Sequence, residues 1–334
     1  MASRVRDNSQ RAPSPIERLG GPGPVGLGVV IGIAYFIAAR LGLMLTASPH
    51  GLAIFWPAAG IAAGALITFG ANVRVPVSVG VILATALSNL MIGRNIWLAA
   101  AFGFVNAGQA LLTAWLIARW FGSAFKLDDV RQVLAFLLAS AIGAAMAAVG
   151  AAGIISLGQP AGLRMDLWRL WFASCLLGTV TIAPLLIGLM EAVRAPPPRR
   201  ELIEGAIGLV TLAGLSAYLI TLPQAPWESA LPVALVFPVL LWVTVRCRLI
   251  FAAASAFVVT LAIVWSTTSS VGHFGDLSIP VADRILAAQT HVLAGTVLAL
   301  VLAALFADRR RNEAALTQSH QRLELALEVG DAAA

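Results

Sequence analysis

Asn106 and Gln109 stand three residues apart in "NAGQALLTAWLIARW" (106–120), so their amides share one face of a helix. The run around them is apolar. Amides in such a setting must hydrogen-bond to protein or to trapped water. They either tie helices together, at about 0.6–2 kcal/mol per bond, or recognise a polar ligand; Asn89 is a third amide of this kind. Arg40, in "YFIAARLGLMLT" (35–46), is the only basic residue well inside an apolar run. An Arg near a bilayer centre costs at least about 2.5–3.5 kcal/mol. Its guanidinium therefore either snorkels to headgroups or lines a pocket and meets an anionic group, with Asp276 and Asp283 as candidates within the chain. Trp56 and Pro57 open the run "IFWPAAGIAAGALITFG" (54–70). Trp at such a position is either an interfacial anchor or the edge of a ligand pocket, and Pro suits the first turn of a helix.

Catalytic chemistry finds little support. Four histidines occur, His50, His273, His291 and His320, without the i,i+4 pairing or Cys companions of a metal or haem site. No metal or other cofactor is expected. "SHQRLE" around His320 lacks the acidic residue that follows a phosphoacceptor histidine. Phosphate-cradling loops, dinucleotide fingerprints and nucleophile elbows are absent from the sequence. His291, which falls in the last apolar run, stays as a binding candidate.

The elements that must position these residues follow from composition. Of 334 residues, 59% are hydrophobic and 11% charged, whereas soluble domains carry about 25% charged residues. A net charge of +6 could attract nucleic acid, but the charges sit between apolar spans, so no nucleic-acid partner is expected. Ten apolar runs approach the roughly 20 residues needed to cross a bilayer: 25–46, 52–70, 73–93, 96–118, 132–157, 168–190, 203–222, 229–245, 249–267 and 285–307. The eighth and ninth are short, which leaves open eight full spans plus a re-entrant pair. The expected fold is an all-α polytopic membrane bundle of 8–10 transmembrane helices. With both termini in the cytoplasm, seventeen basic residues fall inside and four outside (Arg94, Arg164, Arg169 and Arg284), as the positive-inside rule requires. Cys175 and Cys247 imply no disulfide framework.

Residues 1–23 read as a disordered cytoplasmic tail, 24–308 as the membrane domain and 309–334 as a cytoplasmic helix. In that last segment Arg311 ends a basic stop, and Leu316, Leu323 and Leu327 form a short heptad-type seam. It either ends the protein as a surface helix or relays motion from the last span, and it is the expected face of a homodimer.

Taken in order, "YFIAARLGLMLT" (35–46), "IFWPAAGIAAGALITFG" (54–70), "NAGQALLTAWLIARW" (106–120), "LWRLWFASCLLGTVTIAPLLIGL" (167–189) and "LAAQTHVLAGTVLALVLAALFADRRRNEAAL" (286–316) resemble successive blocks of the type 1 membrane-associated sensor domain of bacteria. The closing "RLELALEVGDAA" is similar to the start of a PAS domain. The resemblance implies an eight-span input module in the bacterial inner membrane, fused to a histidine kinase or a cyclic-di-GMP enzyme. Through its Trp-Arg-x-Trp block it adds Trp168 and Arg169 to the candidate ligand-binding set of Arg40, Trp56, Asn106, Gln109 and His291. The sequence departs from the family at Gln109, where Glu is common, and in "FASC" (172–175), where an acidic residue is common. The expected partners are the bilayer and an unknown ligand or membrane protein. The rival class is a small-molecule carrier, but no acidic residue lies near the middle of any span, and carriers rely on such groups.

Overall fold

The computed structural model describes residues 23–46, 53–122, 125–155, 161–221 and 231–332. Among them are ten α-helices: α1 (Pro24–Met44), α2 (Pro57–Phe69), α3 (Arg74–Leu90), α4 (Ile96–Phe121), α5 (Val130–Ile155), α6 (Ala161–Arg194), α7 (Arg199–Thr221), α8 (Leu231–Arg246), α9 (Leu249–Ser269) and α10 (Val281–Ala332). Each apolar run of the sequence thus becomes a helix. Their ends follow local chemistry. Pro24 and Pro57 occupy first turns, where a missing N–H costs nothing. The Asn95 side chain accepts the Trp97 amide at 2.8 Å and starts α4. Gly122, at φ 60°, closes α4 in a conformation that favours glycine.

Among the described residues eight helices are long and apolar enough to cross a membrane, counting the short turn 71–73 with α3, so the chain is a multi-pass membrane protein. The two that fall short are α2, with 13 residues, and α8, with 16. That pairing corrects the expectation of a short eighth and ninth run, since α9 has 21 residues. It also corrects the second run, where helix begins only at Pro57 and residues 53–56 are non-helical. At 1.5 Å per residue α2 is about 20 Å long. The expected tail 1–23 lies outside the described residues except for Gly23.

Packing is close because the contact faces are glycine and alanine. A Cβ built on Gly32 would lie 3.2 Å from Gly80 Cα, which brings α1 onto α3, and one on Gly60 would lie 2.2 Å from the Gly178 carbonyl, which brings α2 onto α6. Small residues allow backbones to approach where lipid supplies no hydrophobic drive between helices. Helix α6 is the hub, packing on α2, α5, α9 and α10, and 72% of its apolar window is buried.

Arg200, Arg246, Arg248, Arg310 and Arg311 gather at one end. There Glu204 of α7 receives Arg246 at 2.9 Å and Arg200 at 3.0 Å, and Glu201 receives Arg248 at 3.3 Å. Helix α10 leaves the bundle at this end through two guanidinium contacts. Arg310 donates to the Val245 carbonyl at the close of α8, at 2.6 Å. Arg311 donates to Asp128, before α5, at 3.0 Å to the carboxylate and 2.5 Å to the carbonyl. Beyond them the side chains through Arg322 are exposed. At 52 residues α10 is about 78 Å long, so the last span and the segment after Arg311 form a single helix.

Candidate functional site

The short α2 leaves room for an irregular stretch inside the bundle. Ala53, Ile54, Phe55 and Trp56 are all buried, at 7%, 1%, 1% and 9% exposure. Non-helical backbone at membrane depth survives only where protein satisfies its polar groups, and here two helices do so. From α6, the Ser174 carbonyl accepts the Trp56 amide at 3.2 Å and the Ser174 hydroxyl donates to the Ala53 carbonyl. From α10, Gln289 Nε2 donates to the Ile54 carbonyl at 3.0 Å. Gly178 is required beneath this stretch, because a Cβ there would lie 1.8 Å from the Trp56 carbonyl oxygen.

Beside the stretch lies a cavity of about 40 Å³, lined by Trp56, Asn89, Arg94, Asn106, Trp171 and Ser174 among others. Two indole N–H groups, Trp56 Nε1 and Trp171 Nε1, and the Asn106 Oδ1 are buried without a well-formed hydrogen bond, their polar neighbours being the Tyr35 hydroxyl and the Cys175 thiol. The Tyr35 hydroxyl, which accepts from Thr85 at 3.2 Å, faces Trp56 and Asn106. The Arg94 guanidinium sits 5.3 Å over the Phe102 ring, and its half-buried place lowers its pKa by desolvation. The poorly paired buried groups in a cavity this size call for an occupant, since one water needs only about 10–15 Å³ and two to four polar partners. Two indole donors, a nearby cation and an amide acceptor suit a small polar group that accepts from Trp and donates to Asn. No Asp, Glu or His is among its lining residues.

The structure gathers part of the sequence-derived set here. Trp56 and Asn106 line the cavity. Gln109 lies one turn along α4, with Nε2 3.3 Å from Thr179 Oγ1 and Oε1 buried without a partner. Arg40 reaches the Ser88 carbonyl at 3.5 Å, next to cavity-lining Asn89, on a helix that packs against α2 and α3. The other members lie elsewhere. Trp168 stacks on Phe172 at 5.1 Å and Arg169 is exposed. His291 Nδ1 meets the Ala287 carbonyl at 2.8 Å and the ring packs edge-on against Phe274 at 5.1 Å. Arg40 and His291 therefore sit on separate parts of the bundle. Asp276, weighed as a partner for Arg40, accepts the Ser278 amide at 2.8 Å. In the relay segment Arg311 is held as described above and Leu316 is 60% exposed; Leu323 and Leu327 lie farther along α10.

Four residues that build the site were outside the sequence-derived set: Arg94, Trp171, Ser174 and Gln289. Trp171 was within view, since it shares the Trp-Arg-x-Trp block with Trp168, but three residues of helix turn it to a different neighbour. Gln289 differs from other polar residues of the last run only through a contact 235 residues away in sequence. No local pattern announces such a bond.

The family model MASE1 matches residues 27–310, which covers α2, the cavity and the whole membrane part of α10. No curated protein and no solved structure matches the chain.

Proposed function

The chain belongs to the MASE1 family of membrane-associated sensor domains, and from that premise we propose that it converts occupancy of the cavity beside Trp56 into a change in α10 that a cytoplasmic output domain reads. Such domains are sensory inputs rather than catalysts. The observation that carries the proposal is the Gln289–Ile54 bond. One helix both grips the wall of the cavity and leaves the bundle as an exposed rod.

A ligand acts by favouring one of two arrangements, and it shifts their balance only through its different affinity for them. Filling the cavity pairs the indoles and Asn106, which favours one placement of residues 53–56. Gln289 couples that placement to α10, and Arg310 and Arg311 define where α10 exits. In this reading the Arg-rich end is cytoplasmic, as charge bias supports, the membrane is the bacterial inner membrane, and the exposed segment after Arg311 pairs with a second copy through the Leu316, Leu323 and Leu327 seam. The output is a histidine kinase or a cyclic-di-GMP enzyme.

Helical phase tests the relay. One residue inserted after Arg311 rotates everything downstream by about 100°, whereas seven return it to within about 20°. With residues 1–328 fused to a diguanylate cyclase reporter, output should change at least several-fold for the single insertion and recover for the seven. Equal output from both insertions would refute a phased helical relay.

A further inference from the structure

A second, larger cavity of about 280 Å³ lies among α7, α8, α9 and α10, away from the first. It is nearly twice the roughly 150 Å³ apolar cavity that takes up benzene, which scales to a body of roughly ten to twelve carbons. Its walls are aliphatic and aromatic, with Leu240, Val259, Ile263 and Phe274 among them, and its lining residues include no Asp, Glu, Lys or Arg.

Five polar side chains interrupt that lining, Ser216, Thr260, Ser266, His291 and Thr296; the Thr260 and Ser266 hydroxyls are already bonded to the Ala256 and Val271 carbonyls, and two of the others are set apart. Threonines within helices commonly return their hydroxyl to the carbonyl four residues back, and Thr260, Thr267, Thr290 and Thr317 all do so at 2.8–2.9 Å. Thr296 does not. Its Oγ1 is buried without a partner, the residue is 2% exposed, and it lines the cavity. A buried unpaired hydroxyl costs about 1–3 kcal/mol, which a ligand atom would relieve. His291 lines the same cavity, and with Nδ1 engaged by the Ala287 carbonyl its Nε2 is left as an acceptor. Between them Gly295 presents open space, as a Cβ there would meet nothing within 4 Å.

We propose that this cavity binds a neutral, single-chain membrane amphiphile, with its apolar body between α7 and α10 and a hydroxyl-bearing head hydrogen-bonded to Thr296 and His291. The hydroxyl donates to His291 Nε2 and accepts from Thr296. An ionised head is disfavoured because no countercharge lines the walls, and an unpaired charge is expensive away from water. One side of the cavity belongs to α10, so occupancy bears on the same helix as the first site without depending on it.

The probe is 1-monodecanoylglycerol with a diazirine in its chain, photolysed with the full chain in phosphatidylcholine nanodiscs. Label should map to 256–266 and 292–298, saturate, and be displaced by excess unlabelled monodecanoylglycerol. The matching decanoic acid probe at pH 8 should label at least tenfold less. Gly295→Leu fills the open space and improves helix propensity, so it should remove at least nine-tenths of the label without lowering the melting temperature. Thr296→Val should weaken labelling about 3- to 10-fold, as loss of one hydrogen bond predicts. Failure of the unlabelled compound to displace the label would mean that bilayer chains own the cavity, and would overturn the proposal. Wild-type labelling of folded Gly295→Leu, or equal labelling by decanoic acid, would overturn it too. Should Gly295→Leu not accumulate, Thr296→Val decides, and wild-type labelling of that variant ends the idea.

Discussion

Gln289→Met tests the link between cavity and output helix with little change of shape. Methionine keeps the length and flexibility of glutamine but cannot donate to the Ile54 carbonyl. That oxygen belongs to a residue 1% exposed, and Gln289 is 7% exposed, so water does not readily replace the lost donor. An orphaned buried carbonyl costs about 1–3 kcal/mol. The cost falls on the 53–56 stretch, which is also tied to Ser174 through the Trp56 amide and the Ala53 carbonyl. If local opening of this stretch limits exchange of the Trp56 amide, the rate should rise by roughly 5- to 150-fold. Hydrogen–deuterium exchange of the peptide covering 53–57, in nanodiscs, reads this directly. The neighbouring Thr290→Val is the control, since Thr290 is exposed and bonds only along its own helix; it should leave the exchange unchanged. In the reporter fusion Gln289→Met should also flatten the difference between the two output states. Unchanged exchange at 53–57 in a folded Gln289→Met protein would show that α10 does not hold the cavity wall, and the proposed relay would fail with it.

Two further outcomes follow from close packing and burial. Gly178→Ala places a methyl 1.8 Å from a backbone oxygen, which a side-chain rotation cannot relieve, so overpacking should cost about 1–3 kcal/mol or more. Size-exclusion profiles should show loss of folded protein, while Gly153→Ala, whose methyl meets nothing within 4 Å, should behave as wild type; equal yields for both would contradict the α2–α6 contact. Burial pushes the Cys247 thiol from 9.0 up to about 11, and only the thiolate reacts. In a Cys175→Ser background, monobromobimane should therefore label Cys247 about 100-fold more slowly at pH 8 than a thiol at 9.0 would react, with the rate rising about tenfold per pH unit toward 11. A rate already flat above pH 9 would place this thiol in water.

The helices were legible because each is written as an unbroken apolar run, and lipid leaves helix as the only local solution for such a run. What the sequence could not reveal was where a run stops being helix. Residues 52–70 read as one span, yet helix begins only at Pro57. The preceding Ile54, Phe55 and Trp56 are as apolar as any helix, and their departure from it depends on Ser174 and Gln289, which are 121 and 235 residues distant from the Ala53 and Ile54 carbonyls they bond. The cavity was half legible for a related reason. Trp56 and Asn106 stand out because their types are costly in lipid, so they draw notice wherever they occur. Arg94 does not, because a cation in a loop is ordinary until the fold lays it over Phe102. Arg40 and His291 were both binding candidates within apolar runs, and position along a run says nothing about which neighbour a side chain meets.

The two sides of the cavity wall are held by different kinds of contact, and the difference decides what can move. Toward α6 the wall is largely backbone against backbone, Gly60 on the Gly178 carbonyl and Gly178 beneath the carbonyl of Trp56, with the short Ser174 hydroxyl on the Ala53 carbonyl beside them. The glycine contacts have no side chain to change rotamer, so α2 and α6 shift as one body or separate. Toward α10 the tie to the Ile54 carbonyl is the tip of a glutamine side chain, and at the exit the ties are the tips of Arg310 and Arg311. Long side chains change partners on fast timescales and at modest cost, an exposed ion pair being worth about 0.2–1 kcal/mol. A switch needs alternatives that differ by only a few kcal/mol, and the α10 contacts meet that condition where the glycine contacts do not. The small residues of α2 thus make the fixed wall, and the slippage that a relay requires falls to α10, which also runs on as an exposed helix after Arg311.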